Sequence, residues 1–283
     1  MVSGIVVPLV ADVKFSGRTS IAQHYIVEVF RRLKTYSLSS LPYYSLDYLG
    51  FRVPAFRRLA KFKLIHYRLY DGTRFIVRPF THDRCIIDEI FVNKVYTPDP
   101  TFEVRSGDVV VDIGAHIGVF TIFAARRGCE VYCYEPLPEN FALLKLNVHL
   151  NNLNDRVRMF QLALAGTRGL LPLRVSARGL ASFRLQGERR TIVRAILLED
   201  VINNVGRVDF LKMDVEGAER EIFLRNDLNK NVLHVISRIA MECHSLRDTI
   251  GIKDLLKSNG FAVSIRKGGH PSLFYIYAAR DRQ

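Results

Sequence analysis

The sequence predicts an α/β fold: a mostly parallel seven-stranded sheet with a C-terminal antiparallel hairpin, plus an N-terminal α/β extension. Three observations predict it. From residue 107 onward, short β-branched apolar runs alternate with segments of helical spacing, the pattern of parallel strands joined by right-handed crossovers. Four of these runs end at an acid, Asp112, Glu135, Asp214 and Glu242. The last two apolar runs, Phe261 to Arg266 and Leu273 to Ala278, are joined by Lys267-Gly268-Gly269-His270-Pro271, a connection too short for a parallel crossover.

With 283 residues, 48% of them hydrophobic, the chain suffices for one large α/β domain with an extension, or for two small domains. The pattern divides it into a helical extension over 1–63 and a main domain over 64–283, whose sheet core begins near 107. Cys85, Cys129, Cys133 and Cys243 sit in apolar surroundings without a CxxC pair and without a secretory leader. They read as reduced core residues of a cytosolic (cytoplasmic) protein. Cys129 and Cys133 lack further nearby Cys or His to complete a zinc set, so no metal site is expected there. No apolar run approaches the roughly 18 residues of a membrane span.

Net charge is +13. Arg52, Arg57, Arg58, Lys61, Lys63 and Arg68 form one basic cluster, and Arg168, Arg174, Arg178, Arg184, Arg189, Arg190 and Arg194 another. These are either solvated positive faces or surfaces for acidic partners such as nucleic acid, phosphate-bearing sugars or anionic lipid headgroups.

Residues 1–18 show no firm period. Ser20 caps an expected helix from Ile21 to about Tyr36, and the Ser-, Tyr-, Leu- and Pro-rich stretch from Ser37 to Pro54 reads as a connector. Asp71-Gly72 between Ile65–Tyr70 and Arg74–Arg78 marks a hairpin. Thr81-His82-Asp83 then leads into an apolar, helix-like segment from Ile86 to about Tyr96. The first sheet strand is Val109-Val110-Val111-Asp112, followed by a Gly turn and a helix from Val119, with Gly128 suited to its C-cap. Val131 to Glu135 is the second strand, and Pro138 opens a helix to about Leu150. Val157 to Leu164 is the third. Leu170 to Val175, Ser182 to Leu185 and Thr191 to Ile196 form a basic insertion of short strands before a helix over Leu198 to Asn203. Val208 to Asp214 and Arg238 to Glu242 are the fourth and fifth, with helices starting near Gly217 and over 250–258.

The turn after the first strand carries Gly114 and Gly118. A dinucleotide-binding fingerprint needs glycines where this chain has Gly114, His116 and Val119, so a pyrophosphate cradle is disfavoured. In an open parallel sheet ligands bind beyond the carboxyl ends of the strands. Those ends hold Asp112, Glu135, Asp214 with Glu216, and Glu242 with His244. Glu135 follows Gly114 by 21 residues, the spacing at which an acid accepts hydrogen bonds from a ribose diol.

Val111-Asp112-Ile113-Gly114-Ala115-His116-Ile117-Gly118, Tyr134-Glu135-Pro136 and Leu211-Lys212-Met213-Asp214-Val215-Glu216-Gly217-Ala218-Glu219 together resemble the FkbM family of S-adenosylmethionine-dependent methyltransferases. So do the Asp71-Gly72 hairpin, Thr81-His82-Asp83, Tyr96, Ala181-Ser182 and Leu198-Glu199-Asp200, and the likeness spans about 64–283. One departure is His116, where the family often has Asn; a neutral imidazole still hydrogen-bonds a carboxylate. The resemblance implies a Rossmann-like class I methyltransferase fold and S-adenosyl-L-methionine as cofactor, held by Asp112, Gly114, Ala115, His116, Gly118, Glu135, Pro136 and Asp214. Asp112 either holds the first loop through backbone amides or helps bind the cofactor's amino group. It also implies methyl transfer to oxygen of a small molecule, sugar, or glycan or lipid-linked substrate, without choosing among them.

A hydroxyl acceptor needs a general base or a metal to draw off its proton. Asp214, Glu242 and His244 are the catalytic candidates, with His244 the first choice of base because an ordinary imidazole titrates near roughly 6.5. A divalent metal on Asp214, Glu216 and Glu242 is the less favoured alternative. Glu216 otherwise orders the helix start it precedes. His82, Asp83 and Tyr96 either close the pocket or simply pack. Two other readings compete: an RNA methyltransferase using the basic surface, and a cofactor-binding protein without catalysis.

Overall fold

The computed structural model describes residues 34–52, 63–175, 181–182, 189–225 and 228–280. Most of the helix expected over Ile21 to Tyr36 lies outside these residues. Tyr36 itself is not helical; it bridges to Leu69. The stretch read as a connector is instead ordered as a 3-10 turn, Leu38–Ser40, and a helix α1, Leu41–Arg52, with Pro42 in its first turn. Its weak apolar periodicity hid a tyrosine cluster. The rings of Tyr36 and Tyr44 lie 4.8 Å apart and those of Tyr36 and Tyr67 5.4 Å apart. Arg84 stacks over Tyr44 and pairs with Asp88 at 2.9 Å.

The hairpin consists of β1 (Ile65–Arg68) and β2 (Arg74–Val77). Helix α2 (Asp83–Ile87) follows and runs directly into a π-helical turn, Asp88–Val92. The expected helix from Ile86 to Tyr96 is therefore shorter, and Tyr96 lies beyond it. One apolar cluster runs from Tyr36, Tyr67 and Phe75 through Phe120 and Phe123 to Phe210 and Tyr277, so the hairpin and the sheet share a core on one face.

The main sheet is seven-stranded, in the order β12-β13-β11-β10-β3-β4-β5. Its strands are β3 (Val109–Ile113), β4 (Glu130–Tyr134), β5 (Val157–Phe160), β10 (Phe210–Met213), β11 (Arg238–Cys243), β12 (Ala262–Lys267) and β13 (Phe274–Ala279). β3, β4, β5, β10 and β11 run parallel, while β13 is antiparallel to both β11 and β12. The expected parallel sheet with a closing hairpin is what forms. β10 and β11 are buried along their whole length, as strands covered on both faces must be. Helices α3 (Val119–Ala125), α4 (Pro138–Leu150), α5 (Leu198–Val205), α6 (Glu219–Phe223) and α7 (Leu246–Ser258) fill the connections.

The third expected strand, Val157 to Leu164, breaks in two. Ala163–Leu164 is a separate strand, β6, which leaves the main sheet and pairs with β9. The basic insertion becomes a four-stranded sheet, β6-β9-β7-β8, with β7 at Gly169–Val175, β8 at Ala181–Ser182 and β9 at Arg189–Ile196. No helix among the described residues is long and apolar enough to cross a membrane.

Candidate active site

The turn after β3 is fixed by the need for close approach. Gly114 has φ 73°, and a Cβ there would meet the Asp214 carbonyl oxygen at 1.8 Å, so only glycine fits. The backbone N–H groups of Gly114 and Ala115 both donate to the Tyr134 carbonyl at 3.0 Å. His116 takes a left-handed φ of 53°, and its N–H donates to Glu135 Oε2 at 2.9 Å. Glu135 Oε1 accepts from Leu137 N at 2.9 Å and from Asn140 Nδ2 at 3.2 Å. Burial pushes the Glu135 carboxyl up to about 7, against the lowering by these three donors.

Gly114, His116, Glu135, Pro136 and Asp214 line one pocket with Ile86, Tyr134, Asn140, Leu164 and Leu173. It is a cleft open to solvent, with about 610 Å³ of empty space between its walls and at its mouth. The other expected cofactor residues stand behind it. Asp112 is fully buried; it accepts from Thr121 Oγ1 at 2.6 Å and pairs with Lys212 Nζ at 3.2 Å. Lys212 Nζ also donates to the Gly114 carbonyl at 2.8 Å. Asp112 thus braces the turn through a lysine, not through backbone amides. Ala115 and Gly118 do not line the pocket either. Gly118 has φ 87°, and a Cβ there would stand 3.3 Å from Leu144 Cγ.

Residues ahead of the sheet join this pocket. Arg78 holds Asp83 with three bonds, backbone N to Oδ2 at 2.8 Å, Nε to Oδ2 at 3.0 Å and Nη2 to Oδ1 at 2.7 Å, and also donates to Asn140 Oδ1 at 2.7 Å. Asp83 Oδ1 in turn lies 3.7 Å from His116 Nε2. A chain of contacts therefore runs from His116 through Asp83, Arg78 and Asn140 to Glu135. Arg78 and Asn140 are missing from the sequence reading, because neither sits in a motif.

A second group of side chains meets at the ends of β10 and β11. After Asp214 the backbone turns through Glu216 (φ 50°) and Gly217 (φ 101°). That turn brings Glu219 back: its Oε1 accepts from Gly217 N at 2.9 Å and lies 2.8 Å from His244 Nδ1. His244 Nε2 lies 3.4 Å from Glu216 Oε2. One ligating atom each from Asp214, Glu242 and His244 falls within 4.8 Å of the others, a spacing that a shared cation can span and that proton exchange can cross through a bridging water. Tyr96 OH donates to Glu242 Oε1 at 2.8 Å and lies 3.5 Å from Asp214 Oδ2. Of the three residues ahead of the sheet, Tyr96 thus reaches the acids of this cluster and Asp83 approaches His116.

The electrostatics of the cluster are unusual. Burial alone would lower the His244 imidazole, but the hydrogen bond to Glu219 and the charges of Glu219, Asp214 and Glu216 outweigh it and lift it to about 9. Its ordinary near-neutral titration, the reason for choosing it from sequence, therefore does not hold in this environment. Burial and the Asp214 charge push Glu216 up to about 7. Burial, Asp214 and Glu89 hold the Glu242 carboxyl well above the usual range. Glu89, from the π-helical turn, is itself pushed to about 8 by burial and by Asp214, Asp88 and Glu216. Sequence reading missed Glu89; the signal was an acid set between Ile87 and Ile90 in an otherwise apolar segment.

A family model described as Methyltransferase FkbM domain matches residues 112–263. AMB antimetabolite synthetase AmbE of Pseudomonas aeruginosa is 28% identical over 232 residues, 64% of this chain, which spans 11% of that protein's length. The 31-O-demethyl-FK506 methyltransferase FkbM of Streptomyces tacrolimicus is 26% identical, across 62% of this chain and 80% of its own. Among solved structures, M. jannaschii TYW2 in complex with AdoMet is 17% identical, with a TM-score of 0.45 over 78% of this chain and 89% of that one.

Proposed function

The chain belongs to the FkbM methyltransferase family, and on that premise we propose that it uses S-adenosyl-L-methionine to methylate a hydroxyl of a small molecule, a sugar, or a glycan or lipid-linked acceptor. The observation that carries the reading is the Glu219–His244 pair, 2.8 Å apart, set beside Asp214 at the edge of the pocket that Gly114 and Glu135 line. The name of the S. tacrolimicus relative, an O-demethyl compound's methyltransferase, supports oxygen as acceptor.

The pocket residues suit that cofactor. Glu135 accepts three hydrogen bonds and keeps an acceptor site on Oε2 for a ribose hydroxyl, and Gly114 lets the turn close against the Asp214 carbonyl. His116, Pro136 and Asp214 complete the lining, while Asp112, Ala115 and Gly118 shape the turn from behind. The bound cofactor supplies an electrophilic methyl on a sulfonium. The chain's own residues then align the acceptor and manage its proton. Glu219 holds His244 by Nδ1, and Nε2, which faces Glu216 Oε2 at 3.4 Å, takes the hydroxyl proton, with the neighbouring Asp214 and Glu216 stabilising the imidazolium that forms. An imidazole lifted to about 9 is mostly protonated at neutral pH, so the base form grows as pH rises. The direct test is transfer of labelled methyl from S-adenosylmethionine to a panel of hydroxylated acceptors, with His244→Asn alongside. Label in an oxygen-methyl product, lost in the variant, supports the reading. Label transferred only to RNA supports the alternative, an RNA methyltransferase.

A further inference from the structure

The four-stranded insertion sheet has two unlike faces. The β7–β9 register sets Leu170 opposite Arg194, Pro172 opposite Ile192, and Arg174 opposite Arg190. The residues between them, Leu173, Val175, Val193 and Ala195, are buried against Leu137, Ala163 and Ala165. Period-two alternation therefore puts the first six on the outer face. Leu170 is 73% exposed and Ile192 62% exposed, apolar surface whose covering is favourable.

Among the described residues, the charges on that face are also unbalanced. Neighbouring Arg168 and Arg189 are paired with Asp200 and Glu139. Among the described residues no acid pairs with Arg174, Arg190 or Arg194. Two of these arginines stand directly across from one another, which is unfavourable unless an anion lies between them. Arginines alternating with exposed aliphatics call for a partner that is anionic at its surface and apolar just beneath. A lipid bilayer with acidic headgroups has that layering. RNA offers the anions, but bases stack on aromatic rings, and none of the described residues of this face is aromatic.

We propose that the outer face of the β7–β9 sheet docks on an anionic bilayer. The inner face of the same sheet supplies Leu173, and β6 supplies Ala163 and Leu164, to the wall of the candidate cofactor pocket. Docking there would hold that pocket at a membrane surface, next to a lipid-linked acceptor. This last step rests on the methyltransferase reading; the docking itself does not.

The test is co-sedimentation of the full chain with phosphatidylcholine vesicles and with vesicles carrying about 30% phosphatidylglycerol, at about 0.1 M salt. Each arginine near an anionic surface contributes about fivefold to partitioning. Wild type is expected to sediment with the anionic vesicles only. Arg190→Gln/Arg194→Gln should weaken that by about thirtyfold. Leu170→Ser/Ile192→Ser should weaken it by at least about tenfold and leave RNA retention unchanged. All four positions are exposed or on the outer face, so melting temperature and S-adenosylmethionine binding should match wild type. Equal partition to both vesicle types, variants that sediment like wild type, or retention by RNA without vesicle binding would each overturn the proposal. Vesicle binding that responds to both variants in a chain that fails to bind S-adenosylmethionine would keep the docking surface and remove the acceptor step.

Discussion

Glu219 Oε1 stands 2.8 Å from His244 Nδ1 although the two residues belong to different crossovers of the sheet. The contact exists because Glu216 and Gly217 both take positive φ and fold the start of α6 back over Asp214. If His244 is the base, His244→Asn should lower kcat by about 10²–10⁴, the usual contribution of a positioned proton acceptor, with little change in cofactor affinity. Single-turnover methyl transfer checks it.

The pH dependence follows from the same pair. A general base works when deprotonated, so the rate should rise with pH through an apparent value at or below the about 9 set by the surrounding acids. Glu219→Gln removes the anion that raises it, and the rising limb should shift to lower pH while kcat falls. A limb that stays in place would assign the proton to another group.

Stability should also respond to pH. Glu89 and Glu216 are raised to about 8 and about 7 in the folded chain. A carboxyl raised on folding contributes stability that is complete below its unfolded value and is lost as pH rises through the folded one. Without cofactor, the melting temperature should therefore fall between about pH 5 and pH 8. Glu89→Gln should flatten the upper part of that slope and melt higher than wild type at pH 8. The gain is about 2–4 °C for each kcal/mol in a domain of this size.

Gly114→Ala probes the turn. The added Cβ would stand 1.8 Å from the Asp214 carbonyl oxygen, so β3 and β10 would have to separate. A loss on the order of 3 kcal/mol is expected, read as a fall in the urea midpoint, together with loss of cofactor binding.

Proton transfer and a shared cation make different demands on Asp214, Glu242 and His244. With Glu219 holding His244 and Tyr96 holding Glu242, proton transfer without a metal is expected. Dialysis against a strong chelator should then leave the rate unchanged. Loss that is restored by a divalent cation would move the chemistry to the metal.

The core was legible because it follows simple rules. Val109–Ile113 and Phe210–Met213 are apolar apart from Asp112 and Lys212, as strands buried on both faces are, and those two charges pair with each other inside the sheet. Pro138 and the short link after Arg266 marked a helix start and an antiparallel turn. What escaped depends on tertiary contacts. Helix α1 lacks apolar periodicity because tyrosine hydroxyls and Asp47 pack there; Tyr67 OH donates to Asp47 Oδ2 at 3.3 Å. β6 left the main sheet for a partner in the insertion, 32 residues later in its register from Ala163 to Ala195. The site was legible as a set of acids at strand ends. Its pairings were not, because a left-handed turn at Glu216 and a π-helical turn at Glu89 carry no sequence period.

The central claim is that this pocket holds S-adenosyl-L-methionine through Glu135. Calorimetric titration with that cofactor, wild type beside Glu135→Gln, tests it most directly. Micromolar binding weakened about tenfold or more in the variant is expected, since a carboxylate bond to a hydroxyl contributes about 1.5–3 kcal/mol. No binding by wild type, or equal binding by both proteins, would contradict it.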